Sequence, residues 1–196
     1  MQHFMLDINE TIAEKMKKWK GKITFTNFLI EGEEAENIKS MLANAVDIPF
    51  ADFEKHFNRL TELCSVKEKI AYSQIVQVGR EVFARILVGD TTYTGIINYG
   101  LLGTASTGVT DGDTQLAAEV KRKGVATRTR SGDTLTFRFF YSKSDTNGTY
   151  QEFGTVIDGT ASANTGQLFN RALTGGWIKT SLEALTVTVQ FDLNPA

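Results

Sequence analysis

Apolar and polar residues alternate without a break from Leu185 to Leu193. This two-residue period predicts a strand with one buried and one solvated face, as in antiparallel sheets. Residues 135–139 alternate in the same way, and residues 96–102 form a mostly apolar run that predicts a buried strand. Turn signals separate these runs at Ser131-Gly132-Asp133, Asn147-Gly148, Asp158-Gly159 and Gly175-Gly176.

The first part of the chain follows a helical period instead. Ile8, Ile12, Met16 and Trp19 lie on one face of a predicted helix, with Asn9 as a candidate N-cap. The same spacing predicts further helices over residues 33–45, from Pro49 to about Cys64, and over residues 78–87 before Gly89. Two short strands are predicted among these helices, at residues 23–26 and 70–76.

Composition changes near residue 70, because 15 of the 17 glycines follow it. Residues 1–70 are therefore expected to form a mainly helical docking or assembly region. Residues 71–196 are expected to form an antiparallel β-sandwich, jelly-roll-like, with one leading helix. The predicted fold class is α+β.

Charge and cysteine content exclude several classes of function. The net charge of -2 gives no overall attraction to nucleic acids or anionic membranes. Cys64 is the only cysteine, so neither an intrachain disulfide nor a thiolate zinc site can form. The first residues lack the apolar run of a signal peptide, which predicts folding in a cytoplasm.

Catalytic chemistry has weak support. The histidines are His3 and His56, and both precede the predicted β region. Carboxylates in the β-region loops are expected to serve turns. Calcium binding, as at Asp111-Gly112-Asp113, and acid–nucleophile pairing are the open alternatives. We therefore predict a protein that is not an enzyme and has no cofactor, no metal and no catalytic residue.

One group of basic residues resembles a nucleic-acid surface. Arg128 and Arg130 are expected to share a sheet face with Arg138 across a hairpin. Residues 71–196 nevertheless hold 11 acidic and 11 basic side chains, and no aromatic residue lies between Lys121 and Arg130. A solvated or subunit-contacting face is the favoured interpretation. The group comprises Lys121, Arg122, Lys123, Arg128, Arg130 and Arg138.

A series of short motifs from about residue 75 to residue 193 resembles small virion proteins of tailed bacteriophages. The matching segments are Leu102-Gly103-Thr104, Asp113-Thr114-Gln115-Leu116, Glu119-Val120-Lys121-Arg122, residues 147–154, residues 168–173 and residues 181–187. The loop at Ala105-Ser106-Thr107-Gly108 departs from the family pattern, which often has proline there. Residues 1–70 show no such resemblance.

The resemblance implies a structural component of the virion: a tail, baseplate or fibre-attachment subunit, or a capsid decoration. Its partners would be other virion proteins and copies of itself, with no nucleic acid and no membrane insertion. A carbohydrate- or receptor-binding module is the main alternative, with a host glycan as partner, and a hydrolase is a third. Candidate contact residues are Thr92, Tyr93, Thr104, Thr107, Tyr150 and Trp177, although core packing is an alternative for the aromatic ones.

Overall fold

A computed structural model describes residues 19–193 of the chain. The helix predicted over residues 8–19 lies, except for Trp19, outside the described residues. Three helices are described: α1 (Glu33–Ala43), α2 (Phe50–Leu63) and α3 (Gln77–Leu87). The strands are β1 (Lys20–Leu29), β2 (Ser65–Ile75), β3 (Ile97–Gly103), β4 (Glu119–Gly124), β5 (Thr127–Ser131), β6 (Thr134–Tyr141), β7 (Gly148–Ile157), β8 (Gln167–Lys179) and β9 (Glu183–Asp192).

All of these strands belong to one sheet, in the order β4-β3-β7-β8-β2-β1-β9-β6-β5. Every pairing is antiparallel, so the predicted antiparallel, α+β character is confirmed. The expected jelly-roll-like sandwich of two sheets is not confirmed, because hydrogen bonds connect the nine strands into a single sheet.

The first strand lies in the interior of this sheet. β1 pairs with β2 on one side and with β9 on the other. Ile23 and Phe25 of β1 are fully buried in the main core. The predicted boundary at residue 70 therefore falls inside β2, and the described residues on both sides of it build the same sheet.

The sheet curls so that strands far apart in its order face each other. The rings of Phe139 in β6 and Phe153 in β7 lie 6.1 Å apart. The Tyr141 hydroxyl of β6 donates a hydrogen bond of 3.0 Å to the carbonyl of Gly100 in β3. The concave face encloses the main core, whose aromatic members include Phe25, Tyr150 and Trp177.

A glycine in β3 allows this close approach. A Cβ atom on Gly100 would lie 2.6 Å from the ring of Phe139. That separation is far below van der Waals contact between carbon atoms. The curl therefore depends on the absence of a side chain at position 100.

The curl leaves a partial gap between β2 and β8. These strands are paired only where Gln74 and Ile75 meet Arg171 and Asn170. Farther along, Lys69 donates from its Nζ to the Gly175 carbonyl at 3.2 Å. The Lys69 side chain of β2 thus contacts β8 where the two backbones are not paired.

Helices α1 and α2 cover part of the convex face. Phe28, Phe140 and Ala184 project outward from three adjacent strands, β1, β6 and β9. They pack against buried residues of the helices, including Ile38, Leu42, Phe53 and Leu60. The helical spacing of these apolar residues thus corresponds to a face that packs in a core.

Gly100→Ala should destabilise the protein by about 1 to 3 kcal/mol, because the added methyl group would press into the Phe139 ring. Gly124→Ala, in the adjacent strand β4, is the matched control, since a Cβ there meets nothing within 4 Å. Urea denaturation of both variants measures the difference. Equal stabilities would show that position 100 does not limit the curl.

Candidate functional site

A long loop, residues 104–118, connects β3 to β4 without helix or strand. Loops of this kind in a compact fold are usually functional or disordered. This one has a defined path, because buried charged side chains bind its backbone. It also contains one of the motif segments noted in the sequence, Asp113-Thr114-Gln115-Leu116.

Arg171 of β8 is the central residue of these contacts, with 2% of its surface exposed. Its Nε donates to Glu152 Oε2 at 2.8 Å, and its Nη1 donates to Asp113 Oδ2 at 2.8 Å. The remaining donors bind the carbonyls of Thr107 and Gly108 and the Thr107 hydroxyl, at 3.0 to 3.3 Å. One guanidinium therefore fixes three positions of the loop.

Glu152 of β7 fixes the other end of the loop. Its carboxylate is fully buried and accepts hydrogen bonds from the amides of Ala117 and Ala118, at 3.1 and 2.8 Å. Gly103 leaves room for it, because a Cβ there would lie 2.5 Å from Glu152 Oε1. The charge of Glu152 is thus balanced by Arg171 and by two backbone donors.

The surroundings of Asp113 and Arg171 favour the ionised forms of these two side chains. Burial opposes ionisation of Asp113, but hydrogen bonds from Arg171 and Thr110 outweigh it and lower the pKa of Asp113. Burial likewise opposes the charge on Arg171, yet its bonds to Asp113 and Glu152 raise the pKa of Arg171. Asp113 and Arg171 therefore form an ion pair at neutral pH.

A second buried pair holds the neighbouring loop, residues 158–166, which connects β7 to β8. Arg122 binds Glu119 through Nε and Nη2, at 2.6 and 2.7 Å. Arg122 Nη1 also donates to the Thr160 carbonyl at 2.8 Å. Glu119 accepts from the amide of Asn164 at 3.2 Å. This loop is fixed by the same kind of contact.

The two loops adjoin each other, since Gln115 Nε2 donates to the Asn164 carbonyl at 3.3 Å. We call residues 104–118 and 158–166 together the two-loop surface. Its exposed residues are small and mostly polar, and they include Thr104, Ser106, Thr107, Thr110, Thr114, Ser162 and Asn164. Such a surface offers hydroxyl and backbone groups in fixed positions.

The predicted contact residues separate into three groups. Thr104 and Thr107 lie on the two-loop surface. Thr92 and Tyr93 lie in another loop, between α3 and β3, where the Thr92 amide donates to Asp90 and Tyr93 packs partly against the main core. Tyr150 and Trp177 are only 1% and 4% exposed, so they belong to the core, as the packing alternative expected.

The carboxylates of the β-region loops are engaged by side chains and backbone. Asp145 pairs with Lys121 and Lys123, and Asp158 accepts from the Thr94 amide. Asp111 pairs with Arg80 at 2.8 Å. Within residues 19–193 there is no group of three or more His, Cys, Asp or Glu side chains that could hold a metal ion. His56 lies on α2, away from these loops.

The basic residues do not form one continuous basic face. Arg128 pairs with Asp47, and Arg138 pairs with Glu54 among the rings of α2. The register also corrects one prediction: Arg138 lies opposite Thr127, whereas Arg128 lies opposite Phe137. Arg138 therefore points to the other side of the sheet from Arg128 and Arg130, because directly opposed residues share a face.

A buried lysine marks a separate charged region behind the 142–147 turn. Lys179 is 1% exposed and donates to Asn147 Oδ1 at 2.6 Å and to the Asp145 carbonyl at 3.3 Å. Burial lowers the pKa of Lys179 to about 8, against an opposing effect from Asp145. Within residues 19–193, no carboxylate accepts a hydrogen bond from its ammonium group. Its two hydrogen bonds therefore serve to hold the 142–147 turn.

The pairs Arg171–Glu152 and Arg122–Glu119 were not predicted from the sequence. Glu152 and Arg171 each interrupt a strand that is otherwise largely buried, and this was the available signal. A charge at a buried strand position requires a partner. The sequence alone did not identify the partner.

Comparisons with models of protein families, with curated proteins and with solved structures find no match. In residues 19–193, none of the helices has the length and apolar character that crossing a membrane requires.

Glu152→Gln should lower the free energy of unfolding by about 3 to 5 kcal/mol, because it leaves the buried Arg171 without its main counter-charge. Glu34→Gln is the matched control, since Glu34 pairs with Arg59 on the exposed surface and should change little. Urea denaturation gives the stabilities, and hydrogen exchange should show faster exchange at residues 104–118 in Glu152→Gln only. Similar stabilities for the two variants would contradict the role of the buried pair.

Lys179 should make stability increase with pH between about 8 and 10.5. The pKa of Lys179 is about 8 in the folded protein, whereas the ordinary pKa of lysine, 10.5, applies to the unfolded chain. Between these two values the unfolded chain therefore binds the proton more tightly. Raising the pH therefore favours the folded state, whereas below pH 8 both states are protonated. The urea midpoint of the wild type, taken relative to that of Lys179→Met, should be higher at pH 9.5 than at pH 7.5. Parallel pH dependences would refute this assignment.

Proposed function

We propose that this protein is a structural subunit of a tailed-bacteriophage particle that binds its neighbours through the two-loop surface. The phage assignment comes from the family resemblance of the motif series. The fixed geometry of the two loops supports the choice of the contact surface. Location in the virion, after assembly in the host cytoplasm, follows from the same proposal.

The length of the loop between β3 and β4 is the observation that carries the proposal. These strands are hydrogen-bonded neighbours, and Gly103 pairs with Glu119 where the loop leaves and returns. A two-residue turn would be enough to join such strands. Ordering a longer loop costs about 1 to 2 kcal/mol of backbone entropy for each residue. The loop is therefore expected to do more than connect β3 to β4.

Part of the loop's function is to cover apolar residues of its own chain. Leu116 packs with Leu101, Val156 and Leu168 and covers the convex face of β3, β7 and β8. Residues 104–110, in contrast, are largely exposed, and their exposed side chains add nothing to this apolar cluster. Their fixed backbone is what a subunit needs to make the same contact repeatedly, because a preordered loop loses little entropy on binding.

The sheet edges favour loops over strand addition as the means of contact. β4 forms one edge and carries Lys121 and Lys123, and charged side chains on an edge oppose pairing with another strand. At the start of the other edge, the amide of Ile48 donates to the carbonyl of Ala126 at 2.9 Å. Protein contacts through exposed loops fit these protected edges.

A purified phage particle from a strain that encodes this protein should contain it in a fixed copy number set by the symmetry of the particle. Quantitative mass spectrometry of the particle against its major capsid protein measures this number. Absence of the protein from the particle would refute the proposed function.

Ser106→Arg should reduce incorporation into the particle at least about tenfold, because a bulky charge in the loop obstructs a packed interface. Ser131→Arg is the matched control, since Ser131 is exposed at the distant end of β5. Circular dichroism should show the same fold for both variants. Loss of incorporation in Ser131→Arg but not in Ser106→Arg would place the interface elsewhere.

A further inference from the structure

A cavity of about 150 Å³ lies at one end of the main core, between the concave face of the sheet and α3. Protein interiors are normally close-packed, with few voids larger than a water molecule. A cavity of this size costs contacts between the atoms that line it, so it is a candidate binding site. Its walls are almost entirely apolar and include Ile75, Val82, Phe83, Ile97, Phe137 and Phe169.

Several elements of the fold hold these walls in place. The strands β2, β3, β6, β7 and β8 each contribute lining residues from the curled sheet. Helix α3 closes one side and lies very close to β8, because a Cβ atom on its Gly79 would lie 2.6 Å from the Phe169 carbonyl oxygen. The cavity is therefore formed by the fold itself, as small-molecule sites usually are.

The walls offer water few hydrogen-bond partners. A buried water molecule typically makes about three hydrogen bonds, whereas an apolar cavity of about 150 Å³ engineered in another protein stays dry and binds benzene or xenon. Among the residues that line the cavity here, Arg80 is the only charged one. An apolar molecule is thus the favoured occupant.

Arg80 also limits the charge of that molecule. Its Nη1 donates to the Ile75 carbonyl at 2.6 Å, and its Nη2 donates to Asp111 Oδ2 at 2.8 Å. An anionic ligand would have to compete with Asp111 for the guanidinium, and the other lining residues carry no charge. A carboxylate or phosphate group in the cavity would therefore be unfavourable.

We propose that this cavity binds a small neutral apolar molecule, of about the size of a benzene ring. Ile86, near the end of α3, lines the cavity and is 40% exposed, so this side of the cavity reaches solvent. The lining residues lie outside the two-loop surface. The site is therefore independent of the proposed assembly.

Nuclear magnetic resonance titrations of the full-length protein test the proposal with two probes. Toluene is the neutral probe, and benzoate is a ring of similar size that carries a carboxylate. Toluene should shift the methyl resonances of Ile75 and Val82 in a saturable titration with one binding site. Benzoate should bind at least about tenfold more weakly, because its charge has no partner in the cavity.

Val82→Phe should weaken toluene binding at least about tenfold, because the added ring takes up volume that the ligand needs. Val66→Phe is the matched control, since it makes the same change at a partly exposed valine outside the cavity. Hydrogen exchange at the amides of β1 and β9 reports whether each variant is folded. If Val82→Phe exposes those strands, Leu135→Phe provides the same comparison at a partly buried lining position.

Four outcomes would overturn the proposal. The first is the absence of a saturable shift with toluene, and the second is equal affinity for toluene and benzoate. The third is toluene binding that the substitution in the cavity weakens no more than the control does. The fourth is toluene binding that weakens as the protein concentration rises, which would assign the cavity to apolar side chains of a second copy.

Discussion

Arg171 places a full positive charge where water is nearly absent, and the surface of this protein depends on how that charge is satisfied. A buried guanidinium is tolerated only when an opposite charge is present and its donors have partners. Glu152, on the neighbouring strand, supplies the opposite charge. The remaining donors require oxygen atoms, and the carbonyls of Thr107 and Gly108 and the carboxylate of Asp113 provide them. The path of the loop follows from these requirements.

The polar network and the apolar packing around it are mutually dependent. The loop that Arg171 and Glu152 hold also carries Leu116 onto the convex face of the sheet. Without the ion pair, Leu101, Val156 and Leu168 would lose part of their cover. Without Leu116, water would approach the buried charges and weaken their attraction. Another part of the convex face, on β1, β6 and β9, is covered by α1 and α2, so one curled sheet uses two different kinds of cover.

Local patterns predicted the elements well, since helices and strands differ in the period of their apolar residues. The alternation at 185–193 became β9, and the helical spacing after Pro49 became α2. The predicted solvated face of β9 was wrong, because Thr186 and Thr188 are buried. The arrangement of strands was harder to predict, because spacing does not record which strands are neighbours. The single sheet, the interior place of β1 and the side to which Arg138 points all depend on pairing and register.

The same limit applies to the site. Arg171 is separated from Glu152 by 19 residues and from Asp113 by 58. Their contact arises only when β8 pairs with β7 and the loop folds back. Each of these residues was visible as a charge or turn residue, but nothing local showed that they share one network. A charge within a buried strand requires a partner, so Glu152 and Arg171 each indicate an opposite charge or polar backbone groups nearby.

The position of the charged pairs gives the motif series a physical meaning. Glu119 and Arg122, and likewise Glu152 and Arg171, fall inside the motif segments from which the phage assignment is proposed, and they are the residues that hold the two loops. The departure from that pattern, at residues 105–108, falls in the exposed part of the loop. A scaffold defined by buried charges can present different exposed residues without changing its backbone. On the proposed function, the motif would therefore specify the shape of the contact surface, while residues 104–110 would select the partner.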